Sequence, residues 1–134
     1  MSATFWLAVV AYVVPTFPLG YFWHLKTFAK TYEGLEIYRK DIIIPLGLAS
    51  MILQGLFFAW VYPKLFDTSP DKWLTSAMQF WAVFGALAWS FLVLPVAAKN
   101  RMTSVRTFFV LETAFTAIQF AIAGVLLALV YRGV

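Results

Sequence analysis

Val105–Tyr131 reads VRTFFVLETAFTAIQFAIAGVLLALVY, and this stretch decides the fold. Between Thr107 and Tyr131 it holds one charge, Glu112. It is long enough to cross a bilayer, which takes about 20 apolar residues. On a helix Glu112, Thr116, Gln119 and Ala123 share one face, because they recur at i, i+4, i+7 and i+11. Ala117, Ala121, Gly124 and Ala128 form a second, small-residue face about 100° away. A helix surrounded by lipid needs neither a carboxylate nor a row of small side chains, so this one expects protein neighbours.

The rest of the chain has the same character. Of its 134 residues 63% are hydrophobic and 12% charged, with a mean hydropathy of +0.83. Soluble domains carry about twice that share of charge. Four spans are expected, at about 3–23, 42–62, 73–98 and 105–131, and they leave no room for a soluble domain. The fold expected is a single transmembrane domain over 1–134: an all-α integral membrane four-helix bundle, with a short interfacial amphipathic helix after the first span. The N-terminal apolar run lacks a basic n-region and a clean cleavage site, and reads as a retained span.

Punctuation marks the elements. Pro15, Pro18 and Gly20 predict a kink or break near 14–20, where Thr16 can bond a freed carbonyl. In His24–Asp41 (HLKTFAKTYEGLEIYRKD), Leu25, Phe28, Ala29 and Tyr32 share one helical face, with Lys26, Lys30 and Glu33 on the others. This predicts a helix at headgroup level, ended by Gly34. Asp41 is expected to cap the second span, with Pro45 in its first turn and Pro63 ending it. Ser69-Pro70 reads as the start of the third helix, Pro95 falls in its last turns, and Ser104 caps the fourth span. Gly55 and Ala59 add a small-residue pair to the second span.

The net charge of +4 does not call for nucleic acid, because the basic residues cluster at span ends. Lys26, Lys30, Arg39, Lys40, Lys99, Arg101 and Arg106 lie at one end, and Lys64, Lys72 and Arg132 at the other. Seven against three puts 24–41 and 99–104 in the cytoplasm and both termini outside, the expected setting being a bacterial inner membrane. Trp23, Trp60 and Trp73 fall where an aromatic belt belongs.

Chemistry is sparse. There is no cysteine, phosphate-binding Gly-rich loop, nucleophile elbow, HExxH or close carboxylate pair, so neither an enzyme nor a cofactor is expected. Glu112 lies roughly 9 Å along the helix from Arg106, where a carboxylate must pair, protonate or face water. Its expected partners are Arg106, Arg101, Lys99 or Thr116. A partner subunit, a ligand or a coupled proton are the alternatives. His24 is the lone histidine, read as an interfacial residue beside Trp23, or as a single axial ligand. If the proline segment opens a pocket, His24, Thr16 and Glu112 meet there. Gln54 and Gln119 lie at one depth, roughly 20 Å into their spans, where they can bond across a helix pair.

The arrangement PTFPLGYFWH (Pro15–His24), YEGLEIYR (Tyr32–Arg39), PLG (Pro45–Gly47) and LQG (Leu53–Gly55) is similar to small bacterial four-helix inner-membrane proteins without an assigned function. The resemblance covers the first half of the chain and implies the fold but no activity. Two functional expectations follow. One is a non-catalytic accessory or structural subunit that packs against partner membrane helices or copies of itself through Gly55, Ala59, Ala117, Ala121, Gly124 and Ala128. The other is a small proton- or cation-coupled transporter or lipophilic-ligand-binding protein centred on Glu112, with Thr116, Gln119, Gln54, Thr16 and His24. Membrane lipids are partners in both.

Overall fold

In hydrocarbon every backbone N–H and C=O must be satisfied within the segment, so long apolar runs fold as helices. The computed structural model describes residues 1–134 and contains helices and no strand. The helices are α1 (Ala3–Phe22), α2 (Ala29–Leu35), α3 (Ile44–Leu65), α4 (Trp73–Phe80), α5 (Ala86–Leu92), α6 (Leu94–Lys99) and α7 (Val105–Tyr131). A π-helical turn, Trp23–Thr27, extends α1, and another, Trp81–Gly85, joins α4 to α5. Four continuous stretches are long and apolar enough to span a membrane: Ala3–Thr27, Ile44–Leu65, Trp73–Lys99 and Val105–Tyr131. Large side chains such as Val14, Leu46, Leu53 and Phe91 are more than 60% exposed, a surface that suits acyl chains and not water. The protein is an integral membrane four-helix bundle.

The α7 helix is the spine. It packs against α1 on one side and against α4 and the second π turn on the other, while α3 leans on α1 and meets α7 at few points. Without a hydrophobic drive between helices in lipid, close approach and hydrogen bonds hold such a bundle together. Gly124 supplies the closest approach: a Cβ there would lie 2.7 Å from the Ala77 carbonyl oxygen. Gly55 faces side chains instead, a Cβ there lying 3.1 Å from Val13 and 3.4 Å from Tyr12 and Val9. Toward the end that carries the termini, an aromatic core forms around Tyr12, Phe58, Tyr62, Phe80, Phe120 and Leu127. Toward the basic end, Tyr32, Leu35, Val93 and Phe108 form a smaller one.

Several element ends differ from the reading of the sequence, each for a local reason. The α1 helix runs through Pro15 and Pro18 without a break. Thr16 Oγ1 donates to the Tyr12 carbonyl at 2.6 Å, and not to Ala11 or Val14, whose carbonyls the prolines leave without an N–H. Gly34 stays inside α2, and Glu36 takes the left-handed position after it at φ 60°. Asp41 does not cap α3, which starts later, at Ile44 with Ile43 in the cap position; the Asp41 carboxylate pairs with Arg39 through two hydrogen bonds of 3.0 and 3.1 Å. Pro63 does not end α3, which continues to Leu65. The carbonyl that Pro63 orphans is that of Ala59, and the Tyr131 hydroxyl donates to it at 2.5 Å. Ser69 opens a turn, with the helix starting at Trp73. The third span is interrupted at Val93, two residues before Pro95. Ser104 caps α7 by accepting from the Thr107 N–H at 3.1 Å.

Both ends of the bundle are tied. At the basic end Thr103 bonds the Gly34 and Leu35 carbonyls. At the other end Gly133 N–H reaches Thr68, and Arg132 reaches the Pro70 carbonyl.

Candidate functional site

Two turns into α7, Glu112 points across the bundle at the end of α1. There the helix widens: Phe28 N–H reaches back five residues to the Trp23 carbonyl, 3.1 Å away. The π turn aims His24 at α7. His24 Nδ1 lies 2.9 Å from the Gly20 carbonyl, and Nε2 lies 2.7 Å from Glu112 Oε1. A carbonyl only accepts, so Nδ1 carries a hydrogen, a tautomer assigned from the hydrogen-bond pattern. A bare Nε2 cannot face a bare carboxylate oxygen at that distance, so a proton lies between them. The pair is therefore neutral as a unit. Tyr32 also donates to the same Oε1, at 2.6 Å, and Trp23 Nε1 donates to the Tyr32 hydroxyl at 3.0 Å. His24 and Tyr32 thus converge on one oxygen of Glu112.

The two side chains of the pair are 19% and 13% exposed. Around them lies an aromatic shell. Phe115 meets the His24 ring edge-on, with centroids 4.7 Å apart, and Tyr32 lies 4.8 Å from it. Tyr38 stacks on Tyr32 at 5.4 Å, with its hydroxyl 3.4 Å from Glu112 Oε1. Tyr32 and Tyr38 lie in the connection between the first two spans. Burial, reinforced by the adjacent Glu112 carboxylate, pushes both phenols above their ordinary range.

Two cavities meet over this pair. An apolar cleft of about 280 Å³ opens between the last turns of α1 and the first turns of α3, with Phe17, Gly20, Gly47, Met51 and Phe115 on its walls. A more polar cavity of about 700 Å³ lies on the side of the α2 connection and is lined by Glu33, Glu36, Arg39 and Lys40 among others. His24, Leu25, Tyr38 and Ile42 line both. The cleft exists because the first turns of α3 splay from the bundle, residues 44–50 being exposed on all sides.

The other candidate residues fall elsewhere. Thr16 is fully buried deeper in α1 and does not join His24 and Glu112. Gln54 and Gln119 lie at one depth, but Tyr12 stands between them. Gln119 Nε2 donates to the Tyr12 hydroxyl at 2.9 Å, and that hydroxyl donates to Gln54 Oε1 at 2.5 Å. Gln54 Nε2 then donates to Ser50 Oγ at 2.9 Å. Thr116 is buried on the opposite side, in a groove with Trp81, Gly85 and Trp89. Neither Arg106, Arg101 nor Lys99 reaches Glu112, nor does Thr116 bond it, so the expected partners are replaced by His24, Tyr32 and Tyr38. Both His24 nitrogens are occupied, which leaves none for an axial ligand role in this geometry.

Tyr32 and Tyr38 are the residues that sequence reasoning missed. In the sequence Tyr32 reads as part of an apolar face, and Tyr38 stands out in no pattern. The available signal was two phenols in the polar segment beside the lone histidine, in a chain whose one intramembrane acid needs donors.

Of the small residues, Gly55, Ala59, Gly124 and Ala128 are buried inside the chain's own packing, Ala117 is half-buried and Ala121 exposed. No protein-family model, curated protein or solved structure matches this chain.

Proposed function

We propose that the protein binds an amphiphilic, lipid-soluble molecule in the cleft between α1 and α3, with its polar end in the adjoining polar cavity beyond His24 and Tyr38. One observation carries this reading: an apolar cleft and a polar cavity share four residues, among them His24 of the half-buried proton-holding pair. Ligand sites combine an apolar wall with a few convergent polar groups, and their volumes begin at about 300 Å³. On the charge bias of the connections, this end lies in the cytoplasm, in a bacterial inner membrane. Passage across the bilayer fits less well, because the other half of the bundle interior is filled by Tyr62, Phe58, Phe80 and Leu127. No enzyme reaction is assigned.

The test is labelling by a lipid whose acyl chain carries a photoreactive group, with the protein in nanodiscs. Labels are expected on peptides 17–25 and 42–51. Gly47→Trp should block them, since a side chain there enters open space and fills the cleft. Leu53→Trp, on an exposed surface outside the cleft, should not. Uniform labelling of all four spans, insensitive to Gly47→Trp, would overturn the proposal.

A packing subunit is the second reading. Four of its six supporting small residues are spent within the chain. The groove lined by Ala82, Gly85, Ala86 and Ala117 between Trp81 and Trp89 still favours it. A discrete oligomer in mild detergent, lost on Ala117→Leu, would support that reading.

A further inference from the structure

We infer that the amphiphile is a zwitterionic phospholipid with a primary-amine headgroup of the ethanolamine type, an assignment that rests on the cleft reading above and deepens it. Apart from His24 and Leu25 in the last turns of the first span, the residues lining the polar cavity lie between the spans that end at Thr27 and begin at Ile44, a stretch that falls at headgroup depth. The apolar cleft lies one layer inward, so the two together follow the profile of a phospholipid, tail inward and head outward.

The charges on the cavity are of both signs, exposed, and largely without an ion-pair partner in the chain. Glu33 and Glu36 make no ion pair, and neither does Lys40. Arg39 gives Nε and Nη2 to Asp41, which leaves three of its five N–H groups free. The pairing with Arg39 holds the Asp41 carboxyl below its ordinary range. A purely anionic head would meet Glu33 and Glu36, and a purely cationic one Lys40 and Arg39. A phosphate beside Lys40 and Arg39, with an ammonium beside the glutamates, pairs every group.

Glu36 sits at φ 60° after the last turn of α2, a position that favours glycine and, at a helix C-terminus, disfavours negative charge. A cation at the cavity would offset that second cost. The choice of amine over trimethylammonium follows from the donors. Carboxylates accept N–H bonds, which choline lacks. The Tyr32 face that could have formed an aromatic cage is covered by Tyr38.

The experiment incorporates the full chain into bilayers of ethanolamine, choline and glycerol phospholipids with identical acyl chains, in equal amounts. It then extracts the protein in mild detergent and quantifies the retained lipid by mass spectrometry. Ethanolamine lipid should be retained about tenfold over choline lipid, the worth of one charge-assisted hydrogen bond. In the Glu33→Gln/Glu36→Gln variant that ratio should fall toward one, through loss of ethanolamine lipid. In Gly47→Trp no lipid should be retained. Equal retention of ethanolamine and choline lipids, or preference for the anionic glycerol lipid, overturns the headgroup assignment and leaves the cleft reading standing. No retained lipid in the native chain overturns both. Because the native chain alone decides these outcomes, the test survives a variant that does not fold.

Discussion

His24 Nε2 and Glu112 Oε1 lie 2.7 Å apart, 88 residues apart in the chain. The contact joins the end of the first span to the start of the last, and it contains the one carboxylate well inside a span. Breaking a buried pair from one side leaves a stranded charge, whereas removing both members does not. Glu112→Ala is expected to cost about 2 kcal/mol, and His24→Ala a similar amount. The double variant should cost less than their sum by about 1 kcal/mol or more. Reversible unfolding in mixed micelles measures all three. Strict additivity would show that the two side chains do not interact.

A second contact repairs a backbone defect. Pro63 cannot donate to Ala59, and Tyr131 does so instead, at 2.5 Å. Tyr131→Phe leaves that buried carbonyl bare and should destabilise by about 2 kcal/mol. Pro63→Ala returns an N–H to the carbonyl. In that background the cost of Tyr131→Phe should shrink to roughly half or less, which the same unfolding measurement would read.

Glycines separate by what stands opposite them. A Cβ at Gly124 would lie 2.7 Å from the backbone oxygen of Ala77, which cannot swing away. Gly124→Ala should therefore cost about 2 kcal/mol, by overpacking the contact of α7 with α4. Gly34 lies within α2 with nothing near its would-be Cβ. Gly34→Ala should stabilise by about 0.5–1 kcal/mol, the helix-propensity difference. Thermal midpoints of the two variants should move in opposite directions.

Alkaline pH tests the tyrosine shell. Tyr32 and Tyr38 have raised phenol values in the folded protein, chiefly from burial and then from Glu112. Folding thus favours their neutral forms. The stability this contributes is complete below about pH 10, the unfolded value, and is lost as pH climbs from there through the raised folded values. Ultraviolet titration should show Tyr32 and Tyr38 among the phenols that ionise late in the native protein. Glu112→Gln should bring them closer to ordinary behaviour, because the neighbouring negative charge is gone.

How much of this was readable in the chain depends on whether the cause was local. The limits of α7 were legible, because Ser104 is a local cap and the apolar run is unbroken. That Glu112 would not face lipid was legible from cost alone. Its partners were not. Proximity in sequence suggested Arg106, whereas topology delivers His24, Tyr32 and Tyr38 from the other side of the bundle. The common depth of Gln54 and Gln119 was legible by counting residues, but the interposed Tyr12 was not, because it required knowing that α1 runs beside both. Pro63 read as a terminator because its rescue by Tyr131 comes from the far end of the chain. The small residues announced close approach without naming the neighbour. Gly124 turns out to meet Ala77, and Gly55 to meet α1, within one chain.

Met51 gives the most direct test of the cleft itself. Its side chain lines the cleft between α1 and α3, whereas Met78 is 62% exposed on the outer surface. With the methionine methyls isotope-labelled and the protein in nanodiscs, both should show nuclear Overhauser contacts to acyl-chain protons. Gly47→Trp should erase those of Met51 and spare those of Met78. A Met51 methyl that sees only protein in the native chain would contradict the account, as would one whose lipid contacts persist in Gly47→Trp.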